Sequence, residues 1–309
     1  MEQVEKPLVS ICTAVYNHEP FLRECFEGFI MQKTNFAFEV LVHDDASTDG
    51  STNIIREYTA KYPHIFKPIY QQENQYSRGV KVSLKYQYSR AQGKYIALCE
   101  GDDYWTDPLK LQKQVDFLEA NPEYVMCSHV CNKYIQLTQK FEEGTNGEWS
   151  NRTYSIEDIA LGEWPFQTAT IVYLRKALDL DYYNTFSMSM DVVLFYLLLK
   201  EGLGYSMADN MSVYRVHQGG TWSGIHYNQQ KYIYFKVRLS IYDRERTVTA
   251  AKLVISSYRH ALKRSFLLFS LTTFFRTINI GLRHFGLKRS MAFFYNRIVK
   301  GKYLPITSY

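Results

Sequence analysis

The sequence predicts an α/β protein in which helices flank a Rossmann-like, mostly parallel sheet, followed by an α-helical C-terminal appendage. Three observations predict this fold class. Apolar strand-like segments alternate with helical segments over roughly the first 120 residues, acidic pairs follow two of those strands, and the pattern beyond about residue 230 is helical. Strand–helix alternation is typical of a parallel sheet with crossover helices.

The predicted strands are short, apolar and rich in β-branched residues. They comprise 8–15, 38–43, 66–70, 95–99, 124–137, 168–174 and 211–216. The predicted helices between them have capping residues or glycine at their ends. They comprise 19–32, 51–62, 80–91, 110–119, a short helix from 156, and 191–201. Residues 138–155 are rich in Glu, Gly, Asn and Ser and predict a loop.

Charge separates an α/β body, residues 1–228, from a basic, aromatic-rich helical region, residues 229–309. Residues 231–309 hold 16 Lys and Arg against Asp243 and Glu245, a net +14, whereas the first 230 residues carry −9. Such a region favours an anionic partner, either membrane or nucleic acid. Its apolar run 266–275 is too short to span a bilayer and suits either the membrane interface or a helical hairpin packed on the body.

The five cysteines form no paired framework, and their positions in predicted strands and helices suit buried apolar residues. Cys127 and Cys131 could be read as a zinc half-site. Alternation along a strand explains their spacing better, because no second pair follows. The polar N-terminus carries no secretory signal pattern, so a reducing cytoplasm is the expected location.

Two acidic clusters follow predicted strands. Asp44 and Asp45 follow 38–43, and Glu100, Asp102 and Asp103 follow 95–99. Ligands of parallel α/β sheets bind beyond the carboxyl ends of the strands, which is where both clusters fall. Adjacent carboxylates repel one another unless a cation lies among them, and a hard divalent cation would bring phosphate with it. A solvated acidic turn before the next helix is the alternative.

Several short motifs stand in a specific order. They are Pro7-Leu8-Val9-Ser10-Ile11 with Ala14-Val15-Tyr16-Asn17, then Val42 to Ser51, Ala91 to Ala97, Glu100-Gly101-Asp102-Asp103, Asp191, and Tyr214 to Gly220. On these motifs, over roughly residues 7–225, the chain resembles the inverting family 2 glycosyltransferases of the GT-A fold. The resemblance makes residues 1–228 the catalytic domain. It implies transfer of a sugar, from a UDP-sugar in the first instance, to a glycan or lipid-linked oligosaccharide in bacterial surface polysaccharide synthesis.

The resemblance also implies how the donor nucleotide is held. Thr13 and Ala14 would line the nucleobase pocket, and Tyr16 would stack on the base, although a core position suits Tyr16 as well. One carboxylate of Asp44 and Asp45 would accept a hydrogen bond from uracil or ribose, because an ionised carboxylate is a pure acceptor. The other would cap the following turn.

The acidic motif implies a divalent cation, Mn²⁺ or Mg²⁺, on the sugar-nucleotide diphosphate. Asp102 would contact both donor and metal, and Asp103 would bind the metal, which neutralises the charge that builds on the leaving diphosphate. His217 would be a further metal ligand and Arg215 would hold phosphate. A surface histidine in a turn is the alternative for His217. Glu100 replaces the first Asp of the usual pattern, so its role is open.

Asp191 falls where the family carries its general base, which deprotonates the attacking acceptor hydroxyl. A helix N-terminal acid stabilised by the helix dipole is the alternative. Trp164 and Trp222 are the expected acceptor-side residues. The basic C-terminal region would place the protein peripherally at the inner face of the cytoplasmic membrane.

Other functions remain as alternatives. A sugar-1-phosphate nucleotidyltransferase would need a glycine-rich basic loop after the first strand, where Tyr16 to Pro20 stand instead. A non-catalytic basic scaffold bound to membrane or nucleic acid would explain the +14 region but not the acidic strand ends, so a nucleic-acid partner is not expected. A dinucleotide-binding fold would need a Gly-x-Gly-x-x-Gly motif that is missing after that strand. The sequence leaves the oligomeric state open.

Overall fold

The computed structural model describes residues 6–142, 150–161, 166–187, 191–220, 222–265 and 271–295. The chain divides into two compact units. The sheet unit comprises residues 1–153, 165–184 and 197–220, and the helical unit comprises residues 154–164, 185–196 and 221–309.

The strands of the described residues form one ten-stranded mixed sheet. In chain order they are β1 (Val9–Val15), β2 (Phe38–Asp44), β3 (Ile69–Tyr70), β4 (Tyr95–Leu98), β5 (Tyr104–Trp105), β6 (Tyr124–Ile135), β7 (Lys140–Glu142), β8 (Arg152–Tyr154), β9 (Val172–Leu174) and β10 (Leu203–Val216).

The helices follow the strands in the alternation that the sequence predicts. They are α1 (Glu19–Ile30), α2 (Ser51–Lys61), α3 (Val82–Tyr86), α4 (Lys110–Ala120), α5 (Ile156–Leu161), α6 (Leu180–Asn184), α7 (Asp191–Glu201), α8 (Tyr227–Glu245), α9 (Val248–Ser265) and α10 (Leu271–Phe294).

The spatial order of the sheet is β3-β2-β1-β4-β9-β6-β10-β5, with β7 paired to β6 and β8 to β10. Parallel pairing joins β1 to β2 and β4, and β6 to β10. The short strand β9 runs antiparallel between β4 and β6. The predicted fold class, a mostly parallel sheet flanked by helices with a helical C-terminal appendage, is therefore confirmed.

The register of β1 brings the acidic clusters to one edge of the sheet. Val15, the last residue of β1, pairs with Asp44, and Cys12 pairs with Leu98 near the end of β4. Because these strands are parallel, the turns that follow them leave the sheet on the same side. The core beneath is apolar and aromatic: Phe29 packs on Trp105 at 4.8 Å, and the Trp105 indole donates to the Ala169 carbonyl at 2.9 Å.

Two local predictions in the first half are wrong in extent. The predicted strand 66–70 is only Ile69–Tyr70, with an isolated bridge at Phe66, because Pro68 has no N–H for a ladder. The predicted helix 80–91 is interrupted at Gln87, whose side chain donates to the carbonyl of Leu41 on β2 at 2.9 Å.

Three predictions in the second half also need correction. The predicted loop 138–155 contains the short strands β7 and β8; its residues 143–149 lie outside the described residues. The predicted strand 168–174 begins as a 3-10 helix, Thr168–Thr170. The predicted strand 211–216 begins at Leu203, because bulges between Met207 and Ser212 carry the ladder past two exposed residues, Ala208 and Asp209.

The helical unit has its own core, to which α8 and α9 contribute most of the side chains. Phe235, Val254 and Tyr258 are buried there. Lys252 of α9 pairs with Glu157 of α5, and the Thr249 hydroxyl donates to the same carboxylate at 2.6 Å. Helix α10 bends at Gly286, where φ is 75° and ψ is 169°.

All five cysteines are buried with unpaired thiols, including Cys127 and Cys131. Burial raises the pKa of both of these thiols to about 12. Within the part of the chain that the structure describes, no helix is long and apolar enough to cross a membrane.

Candidate active site

The turns after β1 and β2 are tied together through side chains. The backbone N–H of Asn17 donates to the Ser47 hydroxyl at 3.0 Å, and the backbone N–H of Thr48 donates to the Asn17 side-chain oxygen at 2.8 Å. The next residue, His18, donates its N–H to the Ser51 hydroxyl at 2.9 Å. Asn17 has φ 55°, a left-handed conformation that asparagine tolerates. The two turns therefore form one rigid rim.

Asp44 and Asp45 are both buried, and they have different partners. Asp44 accepts from the Ser47 N–H at 3.0 Å and so caps its own turn. Asp45 accepts from the backbone N–H groups of Gln75 and Tyr76 at 2.7 and 2.9 Å. Asp45 thereby fixes the loop after β3 against the rim.

The end of β1 presents three of the predicted donor-site residues. Thr13 is fully buried, and its hydroxyl has no hydrogen-bond partner among the described residues. Tyr16 is 45% exposed. Burial and the charge of Asp102 raise the pKa of Glu100 to about 7, while the Ala14 backbone works in the opposite direction.

Gly101 allows the acidic turn to approach β1. Its N–H donates to the Ala14 carbonyl at 3.0 Å. A Cβ at this position would stand 2.8 Å from His18 Nδ1, closer than Cβ atoms come to other atoms, and 3.0 Å from Val15 Cγ2, which is a tight contact. Any residue other than glycine would therefore require the turn or these side chains to shift.

Asp102 lies between two histidines. Its Oδ2 is 2.9 Å from His217 Nε2 and 3.9 Å from His18 Nε2. Burial opposes ionisation of Asp102, but the hydrogen bond from His217 and the nearby imidazole charges outweigh it and lower the pKa of this carboxyl group. Burial lowers the pKa of His18. Asp102 is therefore held as a carboxylate beside an imidazole.

Asp103 points into the protein, where Arg215 of β10 holds the turn. Its Oδ1 accepts from the Arg215 N–H at 2.8 Å, and burial together with the charge of Asp102 raises its pKa. The Arg215 guanidinium donates to the Asp102 carbonyl at 2.9 Å, to Gln136 at 3.2 Å and to Glu24 at 2.5 Å.

Aromatic rings complete the surroundings of Arg215. Its guanidinium lies 4.8 Å from the Phe21 ring, 5.1 Å from Tyr104 and 5.6 Å from Tyr134. The side chain is only 7% exposed. The structure therefore places Arg215 inside the wall of the site, with its donors directed at protein acceptors.

Sequence reasoning missed His18 and Glu24 as parts of this arrangement. Both follow the first strand motif closely, at the start of α1, and that position was the only available signal. Their partners lie more than 80 positions further along the chain, so no local pattern could connect them.

The residues at the turn suit a metal ion that arrives with phosphate. Among the described residues, no group of three or more His, Cys, Asp or Glu side chains could hold a metal by itself. Asp102 and His217 would offer one oxygen and one nitrogen side by side to an ion that displaces the proton of the hydrogen bond between them. Mg²⁺ is commonly held by one or two carboxylates together with substrate phosphates and water, and an ion that also accepts imidazole can use the same arrangement. The pair fits that pattern.

Asp191 is the first residue of α7 and belongs to the helical unit. Its Oδ1 accepts from the Val192 N–H at 2.8 Å. Burial raises the pKa of Asp191 to about 6, while the positive charge of Arg238 works in the opposite direction. This carboxylate can take up a proton near neutral pH.

Of the two predicted acceptor-side residues, Trp164 lies outside the described residues. Trp222 is half-buried in the helical unit, with its ring 4.7 Å from that of Tyr234. Its carbonyl accepts from the Gln230 side chain at 2.8 Å.

Comparison with known proteins gives the family. The sequence matches the model of Glycosyl transferase family 2 over residues 10–182. The protein Rv1520 of Mycobacterium tuberculosis is 38% identical over 227 residues, which are 72% of this chain and 63% of that protein. The chain thus spans less than two thirds of the length of this relative.

Solved structures give the fold. Residues 1–349 of S. aureus TarS, in complex with UDP-GlcNAc, superimpose with a TM-score of 0.61 at 16% identity, covering 94% of this chain and 87% of that fragment. The mannosyltransferase PcManGT of Pyrobaculum calidifontis, in complex with GDP-Man and Mn²⁺, also gives 0.61 at 16% identity, covering 98% of this chain and 83% of PcManGT. The fold is therefore of the GT-A type.

Proposed function

Because the chain belongs to glycosyl transferase family 2, we propose that it transfers a sugar from a nucleotide-sugar donor to a hydroxyl group, with inversion at the anomeric carbon. The observation that carries this proposal is the Asp102–His217 pair, held at the carboxyl edge of the sheet beside the Asp44–Asp45 rim. A carboxylate and an imidazole at a strand end suit a cation bound to a diphosphate.

The donor is a nucleoside diphosphate sugar, with UDP as the first nucleotide to test, as in the TarS complex. Thr13, Ala14 and Tyr16 would line the nucleobase side of the site. Asp45 would lie on the nucleoside side of the site, where it holds the loop after β3 in place. Asp44 caps its own turn. The sugar and diphosphate would then lie toward Asp102.

A divalent cation would neutralise charge on the leaving diphosphate. Asp102 and His217 would hold this ion. Asp103 is also predicted to bind it, and in the structure this residue fixes the turn by accepting a hydrogen bond from the Arg215 N–H. An imidazole ligand favours Mn²⁺ over Mg²⁺, since Mg²⁺ prefers oxygen ligands alone. The Mn²⁺ of the PcManGT complex supports the same choice.

Asp191 is the proposed general base. The acceptor oxygen attacks the anomeric carbon while its proton passes to the Asp191 carboxylate. The bond from the anomeric carbon to the phosphate oxygen breaks, and its electron pair leaves with the nucleoside diphosphate. One displacement inverts the configuration of that carbon.

The acceptor is proposed to be a hydroxyl of a glycan or lipid-linked oligosaccharide in bacterial surface polysaccharide synthesis, with Trp164 and Trp222 as the proposed acceptor-side residues. Residues 1–228 would form the catalytic domain, and residues 229–309 would bring it to the inner face of the cytoplasmic membrane.

Thermal unfolding of the full chain against a panel of nucleoside diphosphates, each with Mn²⁺, Mg²⁺ or no metal, tests this function. A ligand at about 100 times its Kd adds about 2.7 kcal/mol to the free energy of unfolding. We expect stabilisation by UDP that requires metal, is lost in Asp102→Asn and is kept in the control Asp116→Asn, which changes an exposed acid of α4. If no nucleotide changes the melting temperature with either metal, the proposal fails.

A further inference from the structure

A basic groove lies between α8 and α10 in the helical unit. It has a volume of about 440 Å³ and is lined by Tyr242, Arg246, Arg276, Asn279, Ile280, Leu282 and Arg283. The Tyr242 hydroxyl and His284 Nε2, 2.9 Å apart, join the two helices at this point. The groove is therefore built by side chains that hold the helices together.

The groove carries an excess of positive charge. Asp243 pairs with Arg276 and lies 3.9 Å from Arg246. No carboxylate among the described residues pairs with Arg283. Three guanidinium groups thus face one carboxylate, and Arg246 and Arg276 remain 55% and 45% exposed. Guanidinium groups in such a set match the oxygens of a phosphate ester.

Large apolar side chains are exposed on the same helix. Phe275, Leu287 and Met291 are 62%, 64% and 62% exposed. Lys288 and Arg289 are exposed among them, and residues 271–295 contain no Asp or Glu. The exposed face of a helix that contacts only water normally carries both acidic and basic residues. Basic residues interspersed with exposed apolar residues are typical of helices at a membrane interface.

We propose that this groove and the exposed side chains of α10 dock the protein on anionic phospholipid headgroups. The arginines bind the headgroup phosphates, while Phe275, Leu287 and Met291 enter the boundary of the acyl chains. Nucleic acid would use the cations but not the exposed apolar residues. A second copy of the chain, packed symmetrically on this face, would bring two copies of the same arginine-rich set together.

Binding of the full chain to phosphatidylcholine vesicles, with and without phosphatidylglycerol, tests the proposal. We expect binding only where phosphatidylglycerol is present. Each arginine near the surface contributes about fivefold, so Arg246→Gln with Arg283→Gln lowers the partition coefficient about 25-fold. The control Arg56→Gln with Lys61→Gln removes the same charge from exposed positions of α2 and changes binding less than twofold. Leu287→Ser with Met291→Ser also weakens binding.

Several outcomes would overturn the proposal: equal binding to neutral vesicles, equal loss in both charge variants, or stabilisation by inorganic phosphate without vesicle binding. Preference for duplex DNA over vesicles would do the same. Arg246 has φ 54°, so Arg283→Gln alone serves as a second variant without a change at that strained position. The nucleotide-dependent rise in melting temperature is measured without vesicles, so docking and glycosyl transfer can fail separately.

Discussion

The Asp102 carboxylate and the His217 imidazole are hydrogen-bonded at 2.9 Å, although 115 positions separate them in the chain. This bond joins the turn after β4 to the residue that follows β10. It keeps Asp102 ionised within a largely buried environment, so any ligand at this edge of the sheet meets a carboxylate and an imidazole together.

His217→Gln removes one proposed ligand and the hydrogen bond that lowers the pKa of Asp102. We expect the Mn²⁺ concentration for half-maximal transfer to rise about 10- to 100-fold, with a smaller change at saturating metal. Titration of activity with Mn²⁺ measures this. His64→Gln, at an exposed histidine, is the control. An unchanged metal requirement would rule out a role for His217 at the cation.

Gly101→Ala should displace the acidic turn. The new methyl group would meet His18 Nδ1 and Val15 Cγ2, so the turn must move by several tenths of an ångström. Overpacking of this kind costs about 1–3 kcal/mol. Chemical denaturation and the KM for the donor should both respond. Gly219→Ala, whose Cβ would make an ordinary 3.4 Å contact with His217, should cost less. Equal effects would mean that close approach at Gly101 is unimportant.

Arg215→Lys separates a positioning role from phosphate binding. Lysine retains a positive charge but cannot bond the Asp102 carbonyl, Gln136 and Glu24 together. We expect a loss of about 1.5–3 kcal/mol in the free energy of unfolding, the usual worth of hydrogen bonds to a charged group, and a higher donor KM with little change in kcat. Arg175→Lys makes the same change where the guanidinium donates to the Gly93 carbonyl, and should have a smaller effect. If the Arg215→Lys protein is as stable as the wild type but no longer binds the nucleotide, Arg215 is instead a phosphate ligand.

The pH dependence of transfer tests Asp191. Burial raises the pKa of this carboxyl group to about 6, so the proportion of active base falls as pH drops through 6. The logarithm of kcat/KM should rise by one per pH unit below about pH 6 and level off above it, because kcat/KM reports the pKa of the free enzyme. Asp191→Asn should lower kcat about 100- to 10,000-fold. The control Asp181→Asn makes the same change in the first turn of α6. Full activity in Asp191→Asn would exclude it as the base.

The local sequence pattern predicted much of the fold and the types of side chain that form the site. Apolar periodicity placed α1, α2, α4 and α7 within about two residues of their observed ends. It failed where tertiary contacts decide the backbone, as at Gln87, whose bond to β2 interrupts a helix. Asp102 and His217 were predicted together through family resemblance. The enclosure of Arg215 by Phe21 and Glu24 was not, because that contact depends on how α1 packs beside β10.

Lys110 is a buried cation that the sequence analysis did not single out. Its ammonium donates to Gln114 at 2.7 Å and lies 4.0 Å from the centre of the Trp105 ring. Burial lowers its pKa to about 7. Below pH 7 the folded and unfolded states are both protonated, and the cost of the buried charge is fully present. Between about pH 7 and 10.5 the unfolded state binds more protons, so folding stability rises with pH.

Lys110→Met removes this titration and keeps a long side chain against Trp105. The wild type should therefore gain about 1.4 kcal/mol per pH unit relative to the variant between about pH 7 and 10. Losing the partner of Gln114 shifts the variant by a constant and does not alter that slope. Lys113→Met is the matched control, because Asp107 and Asp209 raise the pKa of Lys113 and leave it charged in both states over this range. Denaturant unfolding at several pH values measures the slopes, and parallel curves for the wild type and Lys110→Met would show that Lys110 is charged in the folded protein.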